Sequence, residues 1–352
     1  MLNRRALLVG CASLAATGFP LARAAAKSLG TIETASLRGS ISATDLGVLP
    51  GTSDDQSKAF SRMLHDAAKR DQPIFLPAGT YVVSNLSLPG RVRLSGVPGA
   101  TRLVYGGGGH FIRGENAEHM EFTGLVLDGA DQGLADYTEG LLDLRGAAYL
   151  AIDNCTLTGS AKNGLALERA AGRVERTTIS GAADAGIWSV EAAGLTIAGN
   201  TVSDCANGGI LVHRWQAAPY GTLVTGNRVE RIGARNGGTG QNGNGINAFR
   251  AANVVVSGNL VSDCAFSAIR ANSASNIQIN GNTCLRSGET GLYSEFSFEG
   301  AVIANNTEDG ASLGVSVCNF NEGGRVAVVQ GNIIRNLVPK RPIGTAPDDD
   351  AG

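Results

Sequence analysis

Apolar residues along positions 119–337 recur on two nested periods. On the short period they alternate, as in Leu150 and Ile152, Leu195 and Ile197, Val254 and Val256, and Ile277 and Ile279. Alternation of this kind predicts strands with one face buried. On the long period a small residue followed by an aliphatic one returns as Gly164-Leu165, Gly186-Ile187, Gly209-Ile210, Gly245-Ile246, Ala268-Ile269, Gly291-Leu292 and Gly314-Val315. The intervals are 22, 23, 36, 23, 23 and 23 residues. A fixed period of this size, filled with short strands, predicts a solenoid in which each repeat buries its apolar face against its neighbours.

A second ladder runs beside the first: Gly199-Asn200, Gly226-Asn227, Gly258-Asn259, Gly281-Asn282, Asn305-Asn306 and Gly331-Asn332. The expectation is that asparagine takes the left-handed conformation of a tight turn and that stacked amides bond along the axis. Cys155 and Thr177 hold this position in the two preceding repeats. The 36-residue interval marks two insertions, one within His213–Tyr220 and one within residues 233–244. Loops on a rigid solenoid are where binding usually sits.

Before the repeats, Phe60, Met63, Leu64, Ala67 and Ala68 fall at helical spacing, with Ser53 placed to cap the helix. Short strands are expected at 74–76 and 81–83. The segment from Asp54-Asp55 to Phe75-Leu76-Pro77-Ala78-Gly79-Thr80-Tyr81 resembles the N-terminal cap of the pectate-lyase-like superfamily. That resemblance implies an all-β, right-handed, single-stranded parallel β-helix with an N-terminal capping α-helix. The cap has a physical purpose, since the first coil would otherwise expose apolar side chains and open strand edges.

Residues 1–26 read as an export leader: Arg4-Arg5, an apolar run from Ala6 to Phe19, and Ala22-Arg23-Ala24 as a cleavage site. The paired arginines resemble a twin-arginine signal. Together with the repeats, this resembles exported bacterial repeat proteins that use the twin-arginine route, and it implies a periplasmic location but no particular reaction. The expected organisation is a leader at 1–26, a cap and first coils at 27–118, the β-helix at 119–337, and a polar tail at 338–352. The tail ends where another glycine–aliphatic step is due, so the chain reads either as cut short or as ending in a free terminus.

Composition changes this picture little. Aromatics are 5% and glycines number 49, which suits thin stacked coils. Without the leader, 26 basic residues face 31 acidic ones and no basic block remains, which argues against nucleic acid as a partner. No later run is long enough to span a membrane. Cys155, Cys205, Cys264 and Cys284 read as small buried hydrophobes without a disulfide framework. Asp128, Asp131, Asp136, Glu139 and Asp143 surround a long turn but lack calcium-loop spacing, and read as a solvated acidic loop. No metal or cofactor is expected, and the molecule is expected to be a monomer.

The chemistry is expected on the strand after each repeat glycine. Its outward positions are Ala166, Trp188, Leu211, Asn247, Arg270, Tyr293 and Ser316 in one row. A second row holds Glu168, Val190, His213, Phe249, Asn272, Glu295 and Cys318. Rungs about 5 Å apart match the length of a sugar residue. Trp188, Asn247, Phe249 and Asn272, with Trp215 and Tyr220 from the first insertion, are candidate substrate contacts.

If the face is catalytic, Arg270 would neutralise a uronic carboxylate, with His213 or Tyr293 as acid and base and Glu295 beside them. Arg270 could equally pair with Glu295. The implied partner is a polysaccharide, acted on by lyase or C5-epimerase chemistry, or else bound without reaction by an envelope scaffold. Glu168 and Glu295 lie five rungs apart, roughly 24 Å, which is too far for a two-carboxylate hydrolase.

Overall fold

The computed structural model describes residues 39–238 and 240–338. The expected leader and the tail from residue 339 lie outside the described residues. Within them the alternating apolar pattern folds into three parallel sheets, here named A, B and C, with twelve, eleven and ten strands. Each coil gives one strand to each sheet in turn. Leu150–Asp153 belongs to A, Thr156–Thr158 to B and Asn163–Glu168 to C. The next coil pairs with it in the register of the sequence repeat, as in Leu165 with Ile187. This is a parallel β-helix, as the periodicity predicts.

The core is a set of vertical stacks. Leu165, Ile187, Ile210, Ile246, Ile269 and Leu292 are all fully buried, one above another. Each such side chain contributes about 1.5–3 kcal/mol by leaving water. Every coil needs the coil above and below it to achieve this, which is why the strands stack rather than form separate units. Glycine precedes the aliphatic residue because the wall is close: a Cβ on Gly186 would lie 2.3 Å from Val202 Cγ1.

The asparagine ladder differs from expectation in one respect. The left-handed residue is the glycine before each asparagine, at φ +63 for Gly199, Gly226 and Gly258 and +65 for Gly281, while Asn305 takes φ 56 in glycine's place. The asparagines turn inward and bond along the axis. Asn227 Nδ2 donates to Asn259 Oδ1 at 3.0 Å, and Asn259 Nδ2 donates to Asn282 Oδ1 at 2.9 Å. Each amide also donates to a core-facing carbonyl, Ile197 O for Asn227 and Val224 O for Asn259. Thr177 continues the ladder downward: its N–H donates to Asn200 Oδ1, and its hydroxyl accepts from the Cys155 N–H.

The helix runs Ser57–Lys69, later than Ser53 would start it. Ser53 is not its cap: Gln56 holds the cap position without a side-chain capping bond, and the Ser57 N–H is met by Asp55 Oδ1 at 2.8 Å. Phe60, Met63, Leu64 and Ala67 are buried on its inner face, against the first-coil strands Gly79–Val83, Leu86–Leu88 and Arg91–Ser95. At the other end, Val326 and Ile333 on the last described coil are 69% and 60% exposed. Cys155, Cys205, Cys264 and Cys284 are buried and unbridged, and burial pushes the Cys155 thiol up to about 11 and that of Cys205 to about 12. No helix among the described residues is long and apolar enough to cross a membrane.

Candidate functional site

Sheet C carries the longest strands and the first insertion, and the second insertion leads into it from sheet B, so its outer surface is the most elaborated. The counted rows are the observed ones. Trp188, Leu211, Asn247, Arg270, Tyr293 and Ser316 pair in sequence from coil to coil. Val190, His213, Phe249, Asn272 and Glu295 form the second row. Cys318 lies just past its strand and donates its thiol weakly to the Tyr293 hydroxyl at 3.4 Å. Both rows also extend two coils toward the N-terminus, through Asp143 and Arg113 in the first and through Arg145 and Glu115 in the second.

The C-terminal part of this face is closed. Arg270 Nε donates to Glu295 Oε1 at 2.6 Å, and Asn272 Nδ2 donates to the same oxygen at 2.9 Å. The Arg270 guanidinium also lies 5.3 Å from the centre of the Tyr293 ring and donates to the Gly240 carbonyl. Asn244 Nδ2 holds that same carbonyl at 2.7 Å. The second insertion therefore folds over Arg270, leaving it 8% exposed and Glu295 2% exposed. Arg270 is consequently not free to receive a substrate carboxylate; Glu295 already occupies it. Burial and the nearby Glu295 charge push the Tyr293 phenol well above its ordinary range.

The middle of the face is mixed. Trp188 and Leu211 are partly exposed, and Asn247 is buried with no protein partner for Oδ1. His213 meets Phe249 edge-on at 5.6 Å, and burial pushes its pKa down to about 4, so the ring is neutral at pH 7. The first insertion bulges out between His213 and Ala218. Its Trp215 is 55% exposed, anchored by its N–H to Glu191 Oε1 at 2.8 Å and by its carbonyl to Arg250 at 2.6 Å. Tyr220, expected as a contact on this wall, is instead a core residue. It is 4% exposed with its hydroxyl 2.9 Å from Ser189 Oγ, because the chain has by then turned back inward.

The N-terminal part was overlooked in the sequence. Asp143, read there as part of a solvated loop, is a buried strand residue. Arg145 grips it through Nε at 3.0 Å and Nη2 at 2.9 Å, and the Thr138 hydroxyl and the Glu139 N–H also donate to it. Beside it stand Arg113 and His110. The His110 Nδ1 and the Tyr137 hydroxyl share a hydrogen bond of 2.9 Å. The Arg113 guanidinium lies 5.5 Å from the Tyr137 ring centre. Extending the repeat back 23 residues from Ala166 would have reached Asp143, but His110 and Tyr137 sit on loops where periodicity gives no register.

The family of right-handed β-helix regions matches residues 103–240 and 140–334, which is well over half the sequence. The chain belongs to that family. The match supplies the handedness that periodicity could not. Solved structures with a similar backbone include the A-module of a mannuronan C-5 epimerase from Azotobacter vinelandii, at 15% identity and TM-score 0.54, covering 84% of this chain and 99% of that one. The enzymatically active domain of tailspike protein 2 from bacteriophage CBA120 superposes at 14% identity and TM-score 0.58, over 84% of this chain and 46% of that one. The catalytic unit of an α-1,3-glucanase from Streptomyces thermodiastaticus does so at 17% identity and TM-score 0.52, over 84% and 69%. At such identities the likeness is one of fold. No curated protein matches the sequence.

Proposed function

We propose that this protein binds an acidic polysaccharide along the outer surface of sheet C and modifies it by lyase or C5-epimerase chemistry. One observation supports the reading above others: two continuous outward rows, from Arg113 to Tyr293 and from Glu115 to Glu295, are aromatic or polar at every coil except at Ala166, Leu211 and Val190, and rise at one rung per sugar length. Trp188, Phe249 and the projecting Trp215 offer rings on which sugars stack. At the N-terminal end of the rows arginines alternate with acids, Arg113 with Asp143 and Arg145 between Glu115 and Glu168, which suits a polymer carrying carboxylates between neutral hydroxyls. That one fold neighbour is named a mannuronan epimerase fits the same substrate class.

A second reading, glycan binding without reaction, draws on the closed Arg270–Glu295 pair. A glycan array together with ultraviolet detection of unsaturated uronates separates the two. The enzyme reading expects binding and product. The scaffold reading expects binding lost in a Trp188→Ala, Tyr293→Ala double variant, with no product at any stage. Silence toward every acidic glycan would overturn both. The proposed location is the periplasm, reached by the twin-arginine route; replacing Arg4 and Arg5 with lysine should retain the protein in the cytoplasm, and unchanged export would reject that route.

A further inference from the structure

The N-terminal end of the sheet C face contains polar atoms that the protein leaves unused. His110 is 8% exposed, and its Nε2 is buried with no hydrogen-bond partner in the protein. Arg113 Nε is likewise buried without a hydrogen bond, the Asp143 carboxylate standing 3.9 Å away. Leaving such groups unpaired costs stability; His213 Nε2 and Asn247 Oδ1 on the same face are also unpaired, but here the imidazole is bonded to a half-exposed tyrosine. Tyr137, by contrast, is 50% exposed, so its hydroxyl joins the buried imidazole to the solvent-facing groove.

The arrangement is held in place. Tyr137 rides on the loop 129–139, which the next coil ties down: Lys162 Nζ donates to the carbonyls of Thr138 at 2.7 Å and Ala135 at 3.0 Å. A bridge between Gly109 and Leu134 fixes the loop's other side. Gly109 has φ +145, and a Cβ there would fall 3.1 Å from the Tyr137 hydroxyl and against Asn85 Oδ1, so only glycine lets the phenol reach His110. Preorganisation of this kind is what proton transfer requires.

We propose that Tyr137 and His110 form a proton-transfer pair with Arg113 as carboxylate anchor, and that a uronate residue of a bound polymer undergoes β-elimination there. This rests on reading the sheet C face as an acidic-glycan site. Tyr137 Oη takes the C5 proton of the uronate while its own proton passes to His110 Nδ1. The electron pair left at C5 spreads into the carboxylate, which Arg113 holds. It then forms the C4–C5 double bond as the C4–O4 bond breaks, and the proton returns from His110 through Tyr137 to O4. One pair working from one side suffices for this, whereas inversion at C5 would need a second donor on the opposite face.

Arg113 meets the buried Asp143 only at 3.9 Å, and its closer partner, Glu115, is an exposed carboxylate that a substrate can displace. His110 is suited to accept a proton because burial, and then the Arg113 charge, hold its pKa below the ordinary imidazole value, leaving it neutral at pH 7. The charged and titratable groups around it are Arg113, Asp143 and Tyr137, with Glu115 and Arg145 behind them.

The test uses the whole protein on soluble polyuronates, with three readouts: polymer binding, unsaturated product, and exchange of the C5 proton in deuterated water. Tyr137→Phe should retain binding and lose both product and exchange by about 100-fold or more, the scale of acid–base catalysis. His110→Gln should lower the rate similarly and remove the acid limb of the pH–rate profile. Arg113→Met should raise KM more than it lowers kcat. Binding with neither product nor exchange, or a Tyr137→Phe rate within threefold of the parent, overturns this inference and leaves the binding reading intact. Absence of binding to every polyuronate overturns both.

Discussion

The two ends of sheet C hold the same residue types and use them oppositely. At the C-terminal end, an arginine, a carboxylate and a tyrosine satisfy one another under a loop: Arg270 bonds Glu295, stacks near Tyr293 and is covered by Gly240. At the N-terminal end, Arg145 satisfies Asp143 and Arg113 Nε only approaches the same carboxylate at 3.9 Å, while His110 keeps a free Nε2 and Tyr137 faces solvent. Residue identity thus says little about which cluster can act. What decides is whether the charges have already found partners within the fold, because a buried pair that is complete has nothing left to offer a ligand.

The sharpest way to break this comparison is at Glu295. Glu295→Ala strands Arg270 in a buried site and should destabilise the protein by about 3–5 kcal/mol, whereas Arg270→Met with Glu295→Leu should fold nearly as well as the parent. Thermal or denaturant unfolding reads both, and equal losses in the single and double variants would mean that the pair is not the structural element described here.

A second buried acid lies in the core beneath the same end. Glu308 has no partner for either carboxylate oxygen, and burial pushes its pKa up to about 8. Because the folded value is raised from 4.5, stability is fully present at low pH and falls as the pH rises from about 4.5 to about 8, then levels off. Glu308→Gln should flatten that decline and gain a few kcal/mol, in order of magnitude, at pH 8 and above. A pH-independent stability difference between the two proteins would reject the assignment.

Between the two ends runs the amide ladder. Asn259→Ala removes donors to Val224 O and Asn282 Oδ1 and the acceptor used by Asn227, and should cost roughly 2–3 kcal/mol. Hydrogen exchange should locate the loss in the neighbouring coils. A smaller effect is expected at Lys162→Met, which frees the loop under Tyr137 at a cost of about 1 kcal/mol. It should lower turnover on a polyuronate more than it lowers Tm, and loss of both in proportion would make Lys162 merely structural. Trp215→Ala, at an exposed site, should move stability by less than about 0.5 kcal/mol while weakening glycan binding.

The coil register was legible in the sequence because it follows from counting. Asn247, Arg270 and Tyr293 sit at spacings of 23, and the parallel pairing places them one above another. Counting fails where the chain leaves the repeat. Tyr220 falls inside an insertion, so nothing in its position distinguishes core from rim, and the fold buries it. Ser53 looked like a helix cap, but the helix starts later, at Ser57, with Gln56 in the cap position. Asp143 looked like one of several loop acids until its strand was seen to pair with Asn163–Glu168.

From the sequence alone came the solenoid, its period, the inward and outward rows and the place of both insertions. Each depends on local alternation and a repeat length, and both are one-dimensional properties. The three-dimensional fold decided which outward charges are spent and which remain open, since that depends on where irregular loops cross the face. The carbonyl of Gly240 over Arg270, and the phenol of Tyr137 beside His110, arrive from segments with no periodicity, so only their placement in space could reveal what they cover and what they leave exposed.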